Sequence, residues 1–119
     1  TCALPISSLQ REYPFLRRDF ESNYFRRGCS AATEKLYLTP YGDIIPCPFI
    51  HISFGNVKEE PLAIIRTRML KLDRFREYCQ VCLAGEDPAF IDAFISPTYA
   101  AKCLPMSWKD HPILSQSLR

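Results

Sequence analysis

With 119 residues, 47% of them hydrophobic and 24% charged, the chain has the make-up of one globular domain that can bury a core without disulfide support. A net charge of +2 is too small to argue for nucleic acid, and no run approaches the roughly 18 apolar residues of a membrane span. Six cysteines fall short of a disulfide scaffold, so they point first to metal or redox chemistry in a reducing compartment, here expected to be the cytoplasm.

The first 28 residues, TCALPISSLQREYPFLRRDFESNYFRRG, mix Pro5 and Pro14 with Tyr13, Phe15, Phe20, Tyr24, Phe25 and several arginines. They read as a connector that packs along a larger surface, with an arm on the same domain as the alternative. Thr1 stands where a start methionine would, and nothing there resembles a secretory signal, so the expectation is a piece of a longer polypeptide. Residues 29–96 then read as the folded domain and 97–119 as a tail.

Lys35 to Thr39 is rich in β-formers, and Ile44 and Ile45 follow a TPYGD turn. Pro40 presets φ at the first turn position, and Gly42 suits the left-handed position of a type I turn with a G1 bulge. This predicts a β-hairpin. Pro46 and Pro48 remove two backbone donors, so the second strand ends at Ile45 and Cys47 is presented where the sheet stops. HISFGNV reads as a loop or short strand with Gly55 and Asn56 as turn residues.

A helix is predicted from Pro61, with Glu59 and Glu60 at its positive end and Leu62, Ile65, Met69 and Leu72 on one face. Arg66, Arg68, Lys71, Arg74 and Arg76 suit its C-terminal side. They read as a solvated face rather than a nucleic-acid patch, because no recognition motif accompanies them. After CQVC, Asp87 can cap and Pro88 can open a second short helix whose apolar face is Phe90, Ile91, Phe94 and Ile95, and which should stop at Ser96 before Pro97. The tail, with Cys103, Trp108 and His111, shows no periodicity. The fold class that follows is a small α+β domain: a hairpin, a helix packed on it and a second short helix.

Cys79 and Cys82 form a CxxC pair that can offer two thiolates to one metal centre. Cys29 precedes the first strand and Cys47 ends the second, and the outer ends of a hairpin lie together. Two pairs arriving from two directions suffice for a four-thiolate site. Spacing does not separate zinc from an iron-sulfur cluster, and zinc is the commoner occupant of such sites.

Residues 29 to 82 resemble the SPASM/twitch region at the C-terminus of many radical SAM enzymes. The opening of that motif is matched by Cys29, twelve residues, Gly42, four residues and Cys47. YLTPYGDIIPCPF is similar to the family's hairpin, GNVKEEPLAII to the segment after it, with Gly55, Asn56, Leu62 and Ile65 in place, and CQVC to its close. The further cysteines of a full SPASM domain are replaced by Pro88 and Asp92. The chain is therefore similar to the shorter twitch variant, which carries a single auxiliary 4Fe–4S cluster.

The resemblance implies that Cys29, Cys47, Cys79 and Cys82 are the four ligands, leaving no open iron for substrate. It implies electron transfer or substrate positioning in the modification of a peptide or small molecule. The CxxxCxxC loop that binds S-adenosylmethionine is absent from these 119 residues, so the resemblance places that cofactor in an upstream radical SAM barrel and leaves this chain non-catalytic alone.

Cys103 is a weaker ligand candidate, since free cysteines are commonly small buried hydrophobes. Cys2 reads as an unrelated thiol. His51, four residues after Cys47, reads as a surface or hydrogen-bonded histidine, and His111 has no partner pattern. Pro46 and Pro48 cannot donate an N–H to sulfur, which would bear on a cluster's potential. A zinc-stabilised interaction module without a redox role is the alternative function. A disulfide-linked secreted domain is a third reading.

Overall fold

A computed structural model describes residues 28–119. The expectations for the arginine- and aromatic-rich segment before Gly28, including Cys2, lie outside the described residues.

The predicted hairpin forms as β1 (Tyr37–Leu38) and β2 (Ile44–Ile45), antiparallel, with Tyr37 opposite Ile45 and Leu38 opposite Ile44. Its turn has the predicted chemistry. Gly42 sits at φ +92°, its N–H donates to the Thr39 carbonyl at 3.0 Å, and the Thr39 N–H donates to Asp43 at 2.9 Å. The first strand is shorter than the run of β-formers suggests. The Ser30 carbonyl accepts from the N–H groups of Thr33, Glu34 and Lys35, so the chain turns there, with Ala32 left-handed at φ +61°, before β1 can begin.

β3 (Ile52–Ser53) runs on from the hairpin, where the Phe54 N–H donates to the Ile44 carbonyl and the Ile44 N–H to Gly55. Its other edge is taken by β4 (Met106–Ser107), in parallel register. The stretch read as an aperiodic tail is thus tied to the sheet. It also fills the core: Trp108, Leu114 and Leu118 pack in one cluster with Ile44, Phe54, Ile65, Phe75 and Phe90. This was illegible because a two-residue strand has no period to detect.

α1 (Leu62–Met69) begins after Pro61 as expected and buries Ile65 and Met69, but Leu62 is exposed and Leu72 lies beyond the helix end. The Arg76 side chain closes that end by donating to the carbonyls of Leu70 at 2.8 Å and Lys71 at 3.0 Å. A 3-10 turn, Asp73–Phe75, then inserts Phe75 into the core. Most of the arginines serve the fold. Arg68 binds Glu60 and the Phe54 carbonyl and lies over the Trp108 ring at 4.8 Å, and Arg66 reaches the Thr33 carbonyl.

The second helical region divides into α2 (Leu83–Glu86) and α3 (Pro88–Phe90), and Asp87 caps the latter through the Phe90 N–H at 3.0 Å. It does not stop at Ser96. A π turn over Ile91–Ile95 passes into a 3-10 turn over Ser96–Ala100, with Pro97 in the first turn of the new segment, where its missing N–H leaves no bond unmade. α4 (Leu114–Ser117) closes the described chain.

Phe54, Phe75, Phe90 and Phe94 form an aromatic row with successive centroids 5.9, 6.0 and 4.9 Å apart, and His111 stacks on its far end at 5.9 Å. Each of the fully buried rings contributes about 1.5–3 kcal/mol by burial, and this row is the spine behind the cysteines.

Candidate metal centre

Gly28 and Cys79 set the position of Cys29. The Cys29 N–H donates to the Cys79 carbonyl at 2.8 Å in an antiparallel bridge. At Gly28, φ is +119°, and a Cβ there would overlap the Cys79 carbonyl oxygen and stand 3.1 Å from its carbon. Glycine lets the two chain segments that carry Cys29 and Cys79 close on each other. Cys29 therefore meets the CxxC segment through the backbone, rather than only through the ends of the hairpin.

Cys47 stands on the corner that the prolines make. Pro46 is buried, and Pro48 takes the first central position of a turn closed by the Ile50 N–H on the Cys47 carbonyl at 3.0 Å. That turn aims the Phe49 N–H at the Cys47 sulfur at 3.3 Å. Neither proline donates to the sulfur, but their placement delivers a donor from the residue that follows.

Cys82 occupies the N-cap of α2, where its carbonyl accepts from the N–H groups of Gly85 and Glu86. The Gly85 and Ala84 amides also act on its sulfur. Cys79 lies beside the 3-10 turn, its sulfur 3.5 Å from the Arg74 carbonyl.

All four thiols are free and partly buried, and Cys29 is electrostatically coupled to each of the other three. Cys47 also feels Cys82. Burial pushes the Cys47 thiol up to about 11, against the opposing pull of the Phe49 N–H. Burial is also the first cause that raises Cys79 and Cys82. Three of the sulfurs thus resist ionisation until a cationic group compensates them, which is the electrostatic condition of a metal-thiolate site. Among the described residues no three His, Cys, Asp or Glu side chains converge tightly enough to hold a single metal ion.

The remaining candidates lie apart. Cys103 is exposed and is not among the charges that act on Cys47, Cys79 or Cys82. His51 is exposed, and its carbonyl pairs with Met106. His111 is fully buried. Its Nδ1 accepts from the N–H groups of Ile113 and Leu114, and its Nε2 faces the Phe94 carbonyl at 3.0 Å. The two acceptor contacts at Nδ1 fix the tautomer, so Nε2 carries the proton.

Two features escaped the sequence reading. Gly28 was legible in principle as the glycine directly before Cys29. The contact of Arg74 with Cys79 and its ion pair with Asp87 had no sequence signal, since twelve residues separate Arg74 from Asp87.

Residues 29–84 match the SPASM family, described as an iron-sulfur cluster-binding domain. No curated protein and no solved structure matches the chain.

Proposed function

With residues 29–84 identified as a SPASM iron-sulfur cluster-binding domain, we propose that Cys29, Cys47, Cys79 and Cys82 hold one auxiliary 4Fe–4S cluster in a radical SAM enzyme. The observation that carries this reading is four free, partly buried thiols from three chain segments, with Cys29 and Cys79 bridged through the backbone and Cys29, Cys47 and Cys79 packed against one core.

The donor set fits the group. In a 4Fe–4S cluster each thiolate takes its own iron, so the four cysteines supply one ligand to each. Phe49, Ala84 and Gly85 supply backbone N–H groups to the sulfurs, which stabilises thiolate charge. Gly28 keeps open the close approach that brings Cys29 to Cys79.

When bound, a cluster with four protein thiolates supplies one-electron transfer or a fixed wall beside the substrate. The chain's own residues bind it, screen it on one side with the Phe75 and Phe90 core, and leave Phe49 and Val81 exposed on the outer side next to the ligands. In this reading the partner is a radical SAM barrel that precedes residue 29 and carries S-adenosylmethionine, and the substrate class is a peptide or small molecule. Free thiols favour the cytoplasm, and no described helix is long and apolar enough to cross a membrane.

The test is iron, acid-labile sulfide and zinc per chain on protein purified without oxygen, with Cys82→Ala beside it. About four iron and four sulfide per chain, reduced in the variant, are expected. About one zinc without sulfide, from iron-replete cells, would overturn the cluster in favour of a zinc-stabilised module.

A further inference from the structure

We propose that Cys29 and Cys79 form a redox-active pair: when no cluster holds them they close a disulfide with each other, in preference to Cys79 with Cys82, and withhold two ligands until a thiol reopens them. The pairing follows from where the two cysteines stand, and only the withholding of ligands rests on the cluster reading above.

The backbone places the pair. Cys29 and Cys79 lie directly opposite each other in an antiparallel bridge, with the Cys29 N–H on the Cys79 carbonyl at 2.8 Å. Residues paired in this way stand about 5.5 Å apart at Cα, with their side chains on the same face. A disulfide spans about 4.4–6.8 Å between Cα atoms, so one can close here by side-chain rotation alone. Glycine at 28 permits that approach, since a Cβ there would overlap the Cys79 carbonyl oxygen. Both thiols are free and only partly buried, within reach of a small oxidant.

The CxxC pair is placed otherwise. Cys79 belongs to the bridge, the chain bends at Gln80 and Val81, and Cys82 stands at the N-cap of α2. Its carbonyl accepts from the N–H groups of Gly85 and Glu86, so Cys82 cannot turn toward Cys79 without loosening the start of that helix. Cys47 arrives on a third segment, where its sulfur accepts from the Phe49 N–H.

The step is exchange with a small disulfide, oxidised glutathione. One cysteine sulfur attacks it and releases one glutathione thiol, and the other then attacks the mixed disulfide and releases the second. In sum one sulfur–sulfur bond breaks and one forms, the two cysteines give up two electrons, and their protons leave on the two glutathione molecules. The Cys79 proton is the one that now faces the Arg74 carbonyl at 3.5 Å.

The test is disulfide mapping of the full chain, stripped of metal under reducing anaerobic conditions, freed of reductant, treated with oxidised glutathione, alkylated and cut with trypsin. Trypsin leaves Cys29 in residues 28–35 and both CxxC cysteines in residues 77–102, and fragmentation between Gln80 and Val81 tells Cys79 from Cys82. A cross-link of these two peptides through Cys79 is the expected main product, lost in Cys29→Ala and kept in Cys82→Ala. In urea it should give way to Cys79 with Cys82, because a separation of three residues closes more readily than one of fifty in an unfolded chain. Cys79 with Cys82 as the main product in native buffer, glutathione adducts in place of the cross-link, or one distribution with and without urea overturns the pairing. The cross-linked chain should fail to take up iron and sulfide in anaerobic reconstitution and recover uptake once dithiothreitol is added. Full uptake without dithiothreitol overturns the withholding, whereas no uptake even after it overturns the cluster reading, and the withholding with it, and leaves the pairing standing.

Discussion

Gly28→Ala tests the geometry that joins Cys29 to the CxxC segment. The native φ of +119° is a conformation that costs an alanine about 1–3 kcal/mol. The new Cβ also overlaps the Cys79 carbonyl oxygen, so the segments must part and the 2.8 Å bond from Cys29 to Cys79 is weakened, a further loss of about 0.5–1.5 kcal/mol. The sum, about 1.5–4.5 kcal/mol, is a large share of a typical domain's 5–15 kcal/mol. Urea unfolding of the metal-free chain, followed through the buried Trp108, the single tryptophan, reads it directly. A denaturant slope of about 1–3 kcal/mol/M converts the loss to a midpoint about 1–2 M lower. Iron retention after anaerobic loading should fall in parallel. Gly85→Ala is the control: its Cβ would lie 3.7 Å from the Cys82 sulfur, an ordinary contact, and alanine favours the helix by up to about 1 kcal/mol. If Gly28→Ala unfolds at the wild-type midpoint and keeps its iron, the close approach does not position Cys29.

Arg68→Ala removes the charge-assisted bonds to Glu60 and the Phe54 carbonyl together with the stacking on Trp108, and should cost about 2–3 kcal/mol in denaturant unfolding. Leu114→Ala, at a fully buried site, should cost about 2–5 kcal/mol in the same assay. His111 is held below its usual value by burial, so the unfolded chain binds its proton first. Its stabilising contribution is complete above an unfolded pKa of about 6.5 and is lost as pH falls below that toward the folded value. Thermal melts at pH 7.5 and 5 should show a drop in Tm for wild type, and a smaller pH-dependent drop for His111→Phe, which keeps the stack on Phe94 but cannot bind a proton.

The hairpin was legible because its turn needs unusual backbone, and Gly42 announces it at a fixed offset from Pro40. The Asp87-Pro88 helix start was legible for a similar reason, since a side-chain oxygen and a missing N–H have local consequences. Helix ends were not. α1 stops at Met69 and Arg76 folds back onto the carbonyls of Leu70 and Lys71 just past its end, which no periodicity in Leu72 could reveal. The continuation past Pro97 escaped because proline ends a helix only when it lies in the interior of one; here it sits in the first turn of a tighter segment. The four thiols were legible as a set from their spacing, whereas their mutual placement depends on a backbone bridge between Cys29 and Cys79 that lie fifty residues apart.

The parallel pairing of Ile52 with Met106 also bears on the order in which the chain is made. A ribosome adds Cys29, Cys47, Cys79 and Cys82 before it reaches Met106, Trp108, Leu114 and Leu118. Cys29 and Cys47 therefore leave the ribosome while one flank of the core is still unsynthesised, and loop closure across this separation comes late. In that interval the thiols are more accessible to an assembly factor, and less sheltered from oxidation, than in the finished fold.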